Sequence, residues 1–175
     1  MSYQKATIAL QHIIIVIGAY LSGYYFTGLF HEPTSFVGGL WAVISGIIVI
    51  ENSHIDTWQS AKKRIIGTFI GVVISGAYLF SFDFSILGYG ICIALGVLIC
   101  YLVNAPQSIK LSGITISVVL IVSTIEKELH PFANAGLRFA ESAIGTGIAL
   151  LAAIATYYLG KTIGKQKSPV KNGAL

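Results

Sequence analysis

The chain has 175 residues, 55% hydrophobic and 10% charged, with 11 basic and 7 acidic side chains and a formal charge of +4. A soluble domain carries about 25% charged residues, and a domain this small leaves too much surface in water to hide so much apolar area. The composition excludes a soluble globular enzyme and a disordered chain, which needs low hydrophobicity and high charge, and two cysteines build no disulfide scaffold.

Six apolar stretches follow one another, most of them about 17 to 23 residues long, close to the roughly 20 residues a helix needs to cross a bilayer. They predict an all-α membrane protein with six transmembrane helices. The many Ile and Val residues do not argue for strands, because in lipid only helices and closed barrels satisfy the backbone. A barrel would show short segments of alternating polarity.

The first stretch, Ile8–Phe30, is too long for the apolar part of a signal peptide and is expected to remain as a helix. The second, Thr34–Ile50, is short and follows Pro33. The third, Ile65–Phe82, opens beside Lys62, Lys63 and Arg64, with Trp58 in the preceding loop. The fourth, Ile86–Val103, carries Cys92 and Cys100, about 12 Å apart along a helix axis, which read as packing residues flanking Gly96. The fifth, Leu111–Ile125, is again short and follows Pro106. The sixth is Phe139–Gly160, and a basic tail over 161–175 is expected to be flexible. Residues 1–160 thus form one six-helix domain.

Lys and Arg in short loops set orientation. With the N-terminus inside, the inner segments hold Lys5, Lys62, Lys63, Arg64, Lys110, Lys161, Lys165, Lys167 and Lys171, and the outer ones only Lys127 and Arg138. Both termini are therefore expected to be cytoplasmic. The tail reads as a topology anchor or as a contact with anionic lipid. The pI near 9.1 then needs no nucleic-acid partner.

The chain repeats itself. Ala61-x-x-Arg64-x-x-x-Thr68-x-x-Gly71 returns as Ala135-x-x-Arg138-x-x-x-Ser142-x-x-Gly145. Pro33 and Pro106, Gly39 and Gly113, and Glu51 and Glu126 recur at nearly the same offset. The halves are about 8–82 and 86–160. Three helices per half reverse the second, giving inverted repeats, an arrangement whose binding sites lie at the repeat interface. Short segments in matching positions, here the second and fifth, point to that site, although little tilt would also account for them.

Arg64 and Arg138 are expected at the first turns of helices three and six, where free N–H groups and two guanidinium forks would bind a carboxylate. The alternative is that both snorkel to the headgroups. Thr68 and Ser142 lie one turn further on; they either face the same ligand or bond back to the preceding turn. Gly67, Gly71 and Gly145 are expected to let helices approach closely. Trp41 either contacts the apolar part of a ligand or sits in an interfacial belt. Glu141 either couples transport to protons or forms a salt bridge with Arg138. Glu51 and Glu126 are candidates to pair with the arginines across the short loops. The four histidines have no metal-ligand spacing, and neither a metal, a cofactor nor a catalytic constellation is expected.

The stretch from Trp41-Ala-Val-Ile-Ser45 to Ala61-Lys-Lys-Arg64-Ile-Ile-Gly67-Thr68-Phe-Ile-Gly71 resembles the fusaric acid resistance proteins, the aromatic acid exporter family. A similar R-x-x-G-T-x-x-G element occurs in the aluminium-activated malate channels of plants. The resemblance covers about residues 35–80, with an echo at 135–147 in which Arg138 and Gly145 match. It implies a six-helix unit of the bacterial inner membrane associated with efflux of organic anions, including aromatic carboxylates. Two departures stand out. Glu51-Asn52-Ser53 replaces the proline that many members carry after helix two, and only a short tail follows residue 160. A lone unit of this kind is expected to form a homo-oligomer, with a dimer favoured. The leading expectation is an organic-anion transporter; a passive anion channel and a non-transporting scaffold are the alternatives.

Overall fold

The computed structural model describes residues 3–166. They form six helices: α1 (Tyr3–Gly28), α2 (Ser35–Val49), α3 (His54–Ser81), α4 (Ile86–Leu102), α5 (Ile109–Ile125) and α6 (Pro131–Gln166). Single 3-10 turns at Glu32–Thr34 and Pro106–Ser108 lead into α2 and α5. Each has proline near its start, where a missing N–H costs nothing. Five of the helices are long and apolar enough to cross a membrane. The fourth, α4, has 17 residues and rises about 25 Å.

The burial pattern is that of a protein dissolved in lipid. Ile13, Ile14, Ile17, Leu21, Phe69, Val73 and Leu151 point outward, whereas Arg64, Arg138, Glu141 and a set of Ser and Thr side chains are buried. The chain is a multi-pass membrane protein.

Several helix limits differ from those expected. α3 starts at His54 and α6 at Pro131, well before the apolar stretches begin. Ser53 caps α3: its Oγ accepts from Asp56 N at 3.1 Å and donates to Asp56 Oδ2 at 2.7 Å, a local arrangement that favours helix whatever the polarity that follows. Trp58 therefore sits on a helix and not in a loop, half exposed, with Lys62 Nζ 5.2 Å from its ring centroid. At the other end, α6 runs on to Gln166, into the segment expected to be a flexible tail. The rest of that tail, 167–175, lies outside the described residues. Helix α4 stops where Asn104 adopts φ 55, a left-handed conformation that Asn tolerates. Cys92 and Cys100 are buried with Ile70, Ile74, Ile116 and Leu120.

Close approach decides the packing. A Cβ on Gly145 would strike the carbonyl of Ala42, which holds α6 against the α2 backbone. A Cβ on Gly67 would lie 2.8 Å from Ser108 O, and one on Gly71 2.9 Å from Ser112 O, so α3 meets α5 the same way. Helix α1 packs on α2 and α6; α4 packs on α5 and α3. Between α3 and α6 the contacts run in opposite directions. Thr68 meets Ser142, Phe69 meets Phe139, Gly76 faces Ala135 and Phe80 meets Phe132. The two helices are antiparallel.

Candidate functional site

The antiparallel crossing of α3 and α6, with α2 laid along it, encloses the three charged side chains that are buried among the described residues: Arg64, Arg138 and Glu141, each 0% exposed. The expected first-turn placement of the arginines does not hold. Arg64 lies almost three turns into α3 and Arg138 about two turns into α6, so neither guanidinium sits at the positive end of a helix dipole. Nor does either snorkel, since both are fully enclosed.

Arg64 reaches across the crossing. Its Nε donates to Ser142 Oγ at 3.1 Å and its Nη2 to Ser45 Oγ at 2.8 Å. Its Cζ stands 4.8 Å from the centroid of the Trp41 ring, within cation–π range. Nη1 is buried without a hydrogen-bond partner. Thr68 and Ser142 face each other at 3.1 Å and so join the network.

Trp41 links the two arginines. It is 3% exposed, and its Nε1 donates to the backbone carbonyl of Arg138 at 3.0 Å. The guanidinium occupies its ring face, and the burial removes the interfacial-belt reading. An open apolar groove of about 490 Å³ lies elsewhere, against Ile66, Phe69, Val73, Ile99 and Phe139.

Arg138 has a different environment. Its Nη1 lies 2.9 Å from Glu141 Oε2, an ion pair one turn along α6 whose alignment falls short of hydrogen-bond geometry. The other oxygen of Glu141 accepts from Thr27 Oγ1 of α1 at 2.6 Å. Nε and Nη2 of Arg138 are buried without partners. Because α3 and α6 are antiparallel, Arg64 and Arg138 stand on opposite sides of the Thr68–Ser142 contact, about 12 Å apart along the helix axis at the backbone. They form two stations of one network.

The expected pairing of Glu51 and Glu126 with the arginines is absent. Glu51 accepts from Ser60 Oγ at 3.1 Å, and Glu126 ends α5. Thr27 is a participant with no sequence signal: it is one of several hydroxyl-bearing residues in an aromatic stretch, with Tyr20, Ser22, Tyr24 and Tyr25. Ser45 shares a helix face with Trp41, which was its one signal. Asn134 was also missed; it is fully buried, and its Nδ2 donates to Val119 O at 3.0 Å and Ser123 Oγ at 2.8 Å.

The network is enclosed, with Arg64, Arg138, Glu141, Ser45, Thr68 and Ser142 all 0% exposed. Ionised groups in a membrane interior are costly unless paired, and here the guanidinium groups outnumber the carboxylates. Residues 19–152 match the family described as fusaric acid resistance protein-like. No curated protein and no solved structure matches the chain.

Proposed function

The chain belongs to the fusaric acid resistance protein-like family, and from that premise we propose that it carries small organic anions, aromatic carboxylates among them, out across a bacterial inner membrane. The observation that carries this reading is Arg64. A fully enclosed guanidinium inside a membrane bundle has only hydroxyls and a ring face as partners. A carboxylate supplies the charge it lacks. Ser45, Thr68 and Ser142 orient the ligand, Trp41 contacts it, and Arg138 is the second station on the far side of the crossing. Glu141 is the counterion of Arg138 and, should it exchange a proton during transport, the candidate for coupling.

We read the six helices as two inverted three-helix repeats. The 3-10 turns Glu32–Thr34 and Pro106–Ser108 support this, as does the exchange by which α2 packs on α6 while α5 packs on α3. Gln11, Glu51, His54 and Tyr157 line one cavity, which supports the start of α1 and the end of α6 lying on one side; the excess of Lys and Arg in the loops supports reading that side as cytoplasmic. Gly136 and Gly147 on α6 have open space where a Cβ would go, which suits a homodimer contact.

Efflux from proteoliposomes tests the transport reading. Wild-type protein should release a preloaded aromatic carboxylate, and Arg64→Gln should lose at least about tenfold in rate while remaining monodisperse. Full transport by that variant overturns the site. Single-channel currents in planar bilayers would establish a channel in place of a carrier.

A further inference from the structure

We infer that the enclosed site takes a monoanion and discriminates against dianions. The inference rests on the anion-carrier reading above and deepens it by fixing the ligand's charge. It follows from counting the charges buried among the described residues: two guanidinium groups, Arg64 and Arg138, against one carboxylate, Glu141.

Glu141 is the counterion of Arg138 in this reading: the guanidinium Nη1 lies 2.9 Å from its Oε2, and Thr27 Oγ1 lies 2.6 Å from its Oε1. Arg138 is therefore neutralised from within. Arg64 is not: Ser45, Ser142 and the Trp41 ring give it dipoles and a quadrupole but no opposite charge. One positive charge remains, together with one free guanidinium nitrogen, Nη1. A single carboxylate balances that charge and takes that donor. A second negative group on the ligand would find free donors on Arg138, its Nε and Nη2, but a charge already balanced by Glu141, which would repel it. In a medium that hardly screens, an unmatched charge is excluded. Glu141 acts on specificity through Arg138, as a positioning residue.

The repeat makes the same point. The position that holds Glu141 in α6 is held by Gly67 in α3, three residues after the matching arginine. Only one of the two arginines carries its own counterion.

The test compares isophthalate with its monomethyl ester, which differ by one charge at nearly equal size, with benzamide as the neutral control. Binding is measured by titration calorimetry on purified full-length protein. Wild type should bind the monoester at least about tenfold more tightly than isophthalate. Arg64→Gln should lose monoester binding, and Glu141→Gln, which releases Arg138, should shift the preference towards isophthalate by a similar factor. Equal or tighter binding of isophthalate by wild type, with loss of both ligands in Arg64→Gln, overturns the charge selection and leaves anion carriage standing. Failure of wild type to bind either acid overturns both readings. The wild-type ratio decides the matter even where Glu141→Gln does not fold.

Discussion

Thr68 and Ser142 occupy the same place in the two halves of the sequence, 74 residues apart, and their hydroxyls meet at 3.1 Å. On the inverted-repeat reading proposed above, equivalent residues would touch each other only near the axis that relates the halves. This contact marks the crossing of α3 and α6, and Arg64 binds at one of its two members.

Ser142 serves both Thr68 and Arg64, so its loss leaves two buried groups short of a partner. Ser142→Ala should cost about 1–3 kcal/mol, read as a lowered thermal midpoint in detergent. Thr68→Val, which leaves the Arg64 contact with Ser142 in place, should cost less.

Gly145 and Gly147 are two residues apart on α6 but face different surroundings. A Cβ at 145 meets the backbone carbonyl of Ala42, whereas one at 147 meets nothing within 4 Å. Gly145→Ala should destabilise by several kcal/mol or abolish folding. Gly147→Ala in the monomer should be neutral to slightly stabilising, because it restricts the unfolded chain. Fluorescence-detected size exclusion after a heat step separates the two.

The Arg138–Glu141 pair is fully enclosed, so removing one member strands the other. Arg138→Gln and Glu141→Gln should each cost about 3–5 kcal/mol, and the double variant should cost less than their sum. A double-mutant cycle on unfolding in mixed micelles measures the coupling. Costs that simply add would show that the pair does not interact.

Trp41→Phe keeps a ring beneath Arg64 but removes the N–H that Arg138 O accepts. Loss of that bond should cost about 1–2 kcal/mol, with anion binding only modestly weakened. Trp41→Leu removes the ring as well and should weaken binding further, by up to about tenfold. Thermal shift with and without the monoester separates the two effects.

The helical membrane architecture was legible in the sequence because apolar length is a direct physical requirement of the bilayer. The starts of α3 and α6 were not. In α3, residues 54–64 are mostly polar, and hydropathy cannot distinguish a polar helical extension from a loop; the Ser53–Asp56 cap carried that information at short range. The arginine pattern picked out two residues that the fold buries, but misplaced them at helix starts, since their depth depends on where each helix begins. Thr27 reaches Glu141 across 114 positions of chain, a relationship that no local spacing encodes. The small residues that bring α3 to α5 and α6 to α2 were legible at Gly67, Gly71 and Gly145, because only glycine permits backbones to meet so closely.

Those glycine contacts divide the bundle mechanically. Backbone pressed on backbone has no rotamer with which to yield, so α2 with α6, and α3 with α5, behave as stiff pairs. Between α3 and α6, by contrast, the meeting is of side chains: the Thr68 and Ser142 hydroxyls, the Arg64 arm, and the Phe69–Phe139 and Phe80–Phe132 rings. A motion that parted the two pairs would have to break these contacts, and it would uncover Arg64.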